Sequence, residues 1–72
     1  ITFQVSANND ITLDGRRVDI RSVRANVERL RASNRDAKVI ISTDSRARTD
    51  TYIRIADQAQ AAGVEGIVLT TR

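Results

Sequence analysis

Seventy-two residues with 40% hydrophobic side chains describe one globular domain near the lower limit for a self-sufficient core, a size that buries only about 60% of its unfolded surface. Neither Cys nor His occurs, which removes disulfides, thiolate and imidazole metal sites, and the commonest general base. Eleven Arg and one Lys against nine carboxylates give a net charge of +3 that suits anionic partners, but Phe3 and Tyr52 are the only aromatics, too few for the stacking platforms of single-strand binders, so nucleic acid is not expected.

Along the chain, Ile1, Phe3 and Val5 alternate with Thr2, Gln4 and Ser6, the period of a strand with one buried face. Ala7-Asn8-Asn9-Asp10 is turn material, and Ile11-Thr12-Leu13 is a second alternating strand. Asp14-Gly15 is a two-residue hairpin signal leading into a third strand, Arg16-Arg17-Val18, because Gly accepts the positive φ such turns require. Asp19 is positioned to cap a first helix. Its apolar stripe is Ile20, Val23, Val27 and Leu30, and its opposite face carries Arg21, Arg24, Glu28 and Arg31.

Within residues 38 to 42, Val39, Ile40 and Ile41 are apolar on successive positions, as in a strand flanked by others and covered on at least one face. The run ends at Asp44, followed by the basic loop Ser45-Arg46-Ala47-Arg48. Thr49 or Asp50 is the expected cap of a second helix, reaching to about Ala62, whose apolar face is Tyr52, Ile55, Ala56, Ala59 and Ala62. Gly63 suits the left-handed residue that closes a helix, and Val64 to Thr70 is the expected last strand. A right-handed crossover places it parallel to the strand before it. The expected fold is α+β in two layers, β-β-β-α-β-α-β, with a mixed sheet of about five strands and two helices on one face. One domain, 1–72, accounts for the whole chain, which begins at Ile1 without Met and reads as part of a longer protein.

Asp44 lies at the carboxyl end of a strand, where open α/β sheets hold ligands, but an Asx turn is the simpler reading. Asp44, Asp50 and Asp57 do not cluster with further acids, so paired-carboxylate catalysis is not expected, and no cofactor or metal is called for. Arg46 and Arg48, beside a helix amino end, are candidates to grip a carboxylate or phosphate; a solvated charged loop is the simpler reading. A small sheet also leaves edges open to a second copy or an extended peptide. Here the candidates are the final strand, with Val64, Ile67 and Leu69, or the first strand, Ile1 to Ser6.

The order strand–Asp–loop–helix–Ala-Gly–strand–Thr resembles the periplasmic domain of the ExbD/TolR family of biopolymer transport proteins. The pieces that carry the likeness are Val39-Ile40-Ile41-Ser42-Thr43-Asp44, Ile53-Arg54-Ile55-Ala56-Asp57, Ala62-Gly63-Val64 and Ile67-Val68-Leu69-Thr70, with the Asp14-Gly15 hairpin ahead of them. The chain departs from the family pattern at Ser45, where a basic residue is usual, and at Arg48-Thr49, where a Pro-Tyr pair is usual. The resemblance implies a non-enzymatic role: a homodimer anchored by one inner-membrane helix outside these 72 residues. It implies partnership with an ExbB/TolQ-type channel subunit and transfer of proton-motive energy to a TonB- or TolA-type transducer in the Gram-negative periplasm. It also makes peptidoglycan a candidate ligand of Arg46 and Arg48.

Overall fold

The computed structural model describes all residues, Ile1–Arg72. Its elements are β1 (Thr2–Val5), β2 (Ile11–Leu13), β3 (Arg16–Val18), α1 (Val23–Ser33), β4 (Val39–Thr43), α2 (Thr49–Ala61) and β5 (Ile67–Thr71). They form a five-stranded sheet in the order β3-β2-β1-β4-β5. β1–β2 and β2–β3 are antiparallel, while β1–β4 and β4–β5 are parallel, so the sheet is mixed as the sequence implies.

Alternation fixes which face is covered. Phe3, Val5, Ile11, Leu13, Val39 and Ile41 are buried on the helix side, whereas Gln4 and Ile40 between them are exposed. Val23 and Val27 of α1, with Ile55 and Ala59 of α2, complete the core. The two helices therefore lie on one face, and α2 lies over β4. The turn at Asp14 (φ 52°) and Gly15 (φ 82°) has the paired positive angles expected of a tight hairpin.

Four expectations shift. Asp19 accepts from Arg21 N–H at 2.8 Å, but it caps a 3-10 turn over Ile20–Ser22 that precedes α1 rather than α1 itself. Thr49 is the first helical residue of α2, and no side chain at its N-cap, Arg48, bonds the first turn. The first strand is not an edge: β1 lies between β2 and β4.

The last strand begins at Ile67 rather than Val64, because the end of α2 claims Val64. Gly63 turns left-handed (φ 94°), its N–H donates to Gln60 C=O at 3.0 Å, and Val64 N–H reaches back to Ala59 C=O at 3.1 Å. This doubled bonding is the Schellman ending of a helix, and it seals Val64 into the core against Ala59.

Candidate functional site

The loops after β1 and β4 meet Arg72, which follows β5, at the carboxyl ends of these strands, and backbone bonds tie them together. Asp44 N–H donates to Val5 C=O at 2.9 Å, Arg72 N–H to Thr43 C=O at 2.8 Å, and Ser45 N–H to Arg72 C=O at 3.1 Å. The Arg72 guanidinium also donates to Val5 C=O at 2.9 Å. Asp44 sits inside this knot with the Asx turn that its position suggests, its Oδ1 accepting from Arg46 N–H at 2.8 Å. The Arg46 side chain then folds back onto the same carboxylate, Nε to Oδ1 at 3.1 Å and Nη2 to Oδ2 at 3.2 Å. The guanidinium first, and then the Arg46 N–H, hold the Asp44 carboxyl below the usual carboxylate range; Arg72 adds a weaker pull. Arg46 is correspondingly raised by Asp44. Asp44 is thus a fixed anion shaping a loop, unsuited to exchanging protons near neutrality.

Arg48 faces Asp50 at 3.2 Å. The loop that reads as basic in sequence is locally neutral, since each of its guanidinium groups has a carboxylate of its own. Asn9 completes the arrangement. From a left-handed backbone (φ 66°), its Oδ1 accepts from Arg48 N–H at 2.7 Å and from Thr51 Oγ1 at 3.3 Å. It anchors the start of α2 in place of the missing local cap. Sequence reading passes over Asn9 because its partners are distant in the chain.

The other candidate residues lie at the sheet margin. Hydrogen bonds to β4 use Gly66 C=O and Arg72 N–H, and Arg72 C=O accepts from Ser45 N–H just past the end of that strand. By the alternation of a parallel ladder, Val68 and Thr70 also face β4, so the backbone groups of Ile67, Leu69 and Thr71 point away from the sheet. Leu69 is on the helix side, yet α2 packs over β4 rather than over β5, and Leu69 is 45% exposed. Val68 on the opposite face is 48% exposed and stands beside Ile40 at 39%, its partner in register. Ile67 is half-buried, and Val64 lies in the core. The structure thus brings Ile67 and Leu69 together at an open edge and adds Val68 and Ile40. Asp44, Arg46 and Arg48 form a separate cluster near the end of that strand.

The opposite edge differs. β3 is three residues long and presents Arg16 and Arg17, a short, charged edge that offers an added strand far less backbone than β5 does. No three acidic side chains gather as a metal-ligating group.

These features define a two-layer α+β domain whose distinguishing surface is an apolar sheet edge. The chain belongs to the ExbD/TolR family: the family described as biopolymer transport protein ExbD/TolR matches residues 1–72. It is 38% identical over 69 residues to the biopolymer transport protein exbD2 of Vibrio cholerae serotype O1 (strain ATCC 39315 / El Tor Inaba N16961). That similarity covers 96% of this chain and 52% of the relative, so the chain spans about half the length of the protein it matches. No helix is long and apolar enough to cross a membrane.

Proposed function

We propose that this domain is the periplasmic contact module of a proton-motive-force-driven complex in biopolymer transport, non-enzymatic, and joined to its membrane anchor through sequence outside these residues. Its work is to pair with a second copy and to engage a TonB- or TolA-type transducer, while the anchor meets an ExbB/TolQ-type channel subunit. Family membership supports the setting, and the β5 edge carries the mechanism. There, three outward-facing backbone pairs lie between Leu69 on one face and Val68 on the other, both nearly half exposed. An added strand would satisfy those groups and cover both apolar side chains at once, which is the energetic basis of strand addition. Ile67 and Leu69 are the proposed contact residues. Val64 supports the strand from the core, and the Asp44–Arg46 and Arg48–Asp50 pairs fix the loop beside its end.

Peptidoglycan would be a weaker ligand on this geometry. Its stem carboxylates would have to compete with Asp44 and Asp50 for Arg46 and Arg48.

Leu69→Pro tests the edge. Its N–H points away from β4, so proline removes an outward donor without breaking the existing ladder, a strand setting in which proline is tolerated. The native chain is expected to self-associate in sedimentation over a concentration series. Its Ile67–Thr71 amide shifts should move when the periplasmic segment of a TonB- or TolA-type transducer is added. Leu69→Pro should keep the native dichroism spectrum and lose both responses. If β5 shifts stay put and the native chain remains monomeric, edge contact is wrong.

A further inference from the structure

A second surface, independent of the β5 edge, lies between β3 and α1. Leu13 and Val18 from the hairpin and Leu30 from α1 form an apolar floor, and Val18 and Leu30 are only half-buried. Arg16 on the strand side and Arg29 on the helix side stand on opposite walls, and neither has a carboxylate within ion-pair distance. This distinguishes them from Arg17, Arg21, Arg24, Arg46 and Arg48, each of which faces an Asp or Glu. Arg29 donates to Asn26 Oδ1 at 3.1 Å, which steadies the guanidinium over the groove and leaves its other donors free. Asp14 is the single acidic side chain along the lining.

The strand wall offers a backbone site as well. The two-residue turn makes Leu13 and Arg16 a hydrogen-bonded pair, and Ile11 with Val18 the next one. Thr12 and Arg17 between them are a non-bonded pair, so the Arg17 N–H and C=O point away from β2. An apolar floor, one open backbone pair and two cations without a carboxylate partner on facing walls are the complement of an extended segment that alternates acidic and apolar residues.

We propose that the β3–α1 groove binds an acidic, amphipathic extended peptide, its backbone pairing with Arg17 and its carboxylates meeting Arg16 and Arg29. The single outward pair on β3 limits the backbone contribution, so charge and the apolar floor supply the selectivity. This sets the two edges apart: β5 is apolar and sequence-tolerant, whereas β3 selects by charge.

The test uses two acetylated, amidated octapeptides, one alternating Glu and Val and the other alternating Lys and Val, titrated into the isotopically labelled chain. The Glu peptide should shift the amides of Arg16–Val18 and Asn26–Leu30, with an affinity that falls as salt rises; the Lys peptide should leave them unmoved. Arg16→Glu with Arg29→Glu should weaken the Glu peptide about tenfold or more while the remaining spectrum stays native. Arg29→Glu alone, on the helix surface, serves if the double variant disturbs the hairpin, and it should give a smaller loss of the same sign. Three results overturn the groove: equal response to both peptides, shifts confined to Ile67–Thr71, or no loss of affinity in either variant.

Discussion

Asn9 does at long range what a capping side chain usually does locally. The start of α2 has no cap of its own, and Asn9 Oδ1 accepts from Arg48 N–H and from Thr51 Oγ1 across the loop junction. Asn also tolerates the left-handed backbone it occupies better than most residues. Asn9→Ala should therefore destabilise by about 2–3 kcal/mol, combining lost hydrogen bonds with the loss of a side chain suited to positive φ. Asn9→Asp, which retains an acceptor at the same place, should lose much less. Urea midpoints of the two variants, at unchanged m value, measure the difference.

Asp44 and Asp19 make a prediction of a different kind. Each carboxyl is lowered in the folded chain, by Arg46 and Arg21 respectively, in both cases chiefly through a side-chain hydrogen bond. A folded value below the unfolded one stabilises the fold once the pH is above the unfolded value, about 4, and that contribution fades as pH falls through the depressed folded value. Stability should accordingly be flat with respect to these two groups between about pH 5 and 7 and decline below about pH 4. The double variant Asp19→Asn with Asp44→Asn should flatten the acid limb of urea midpoint against pH. An acid limb identical to that of the native chain would rule out these pairs as its source.

Among the elements, legibility followed the range of the interactions involved. The hairpin at Asp14-Gly15, the stripe of α1 and the ending of α2 at Gly63 depend on neighbours a few residues away, and all can be read from the sequence. Both helix starts depend on distant side chains and cannot. Arg24 N–H near the start of α1 is met by Gln58 Oε1 at 2.9 Å, and Gln58 Nε2 donates in turn to Ile20 C=O at 2.5 Å, as Asn9 serves α2. The apparent basic loop is a similar case. Arg46 and Arg48 look free as a string of residues, and only the Asx turn and the first turn of α2 reveal the carboxylates that engage them. The rank of the strands is the remaining gap: alternation in Ile1–Ser6 gives a strand with one buried face but says nothing about its neighbours. Hydrogen bonding from Ile40 N–H to Ile1 C=O and from Asp44 N–H to Val5 C=O makes β1 central and leaves the edge to β5.

For the whole molecule, that central position makes β1 the join between an antiparallel half, β2–β3, and a parallel half, β4–β5. Phe3 is fully buried there, in register with Leu13 on one side and Ile41 on the other. It is the only Phe in the chain and heads the largest side chains that are wholly enclosed. A domain of this size commonly has about 4–11 kcal/mol of stability in total, and emptying a buried Phe site costs about 3–5 kcal/mol because a cavity remains where the ring was. Phe3→Ala should therefore remove a large share of the folding free energy, and Phe3→Leu, which refills most of the volume, much less. Urea unfolding followed by dichroism distinguishes the two. The same cavity at a margin would leave the rest of the sheet intact, whereas at Phe3 it separates the halves. Hydrogen exchange in Phe3→Ala should consequently accelerate in Ile11–Leu13 and Val39–Thr43 together. Protection retained in either strand alone would show that the halves hold independently of β1.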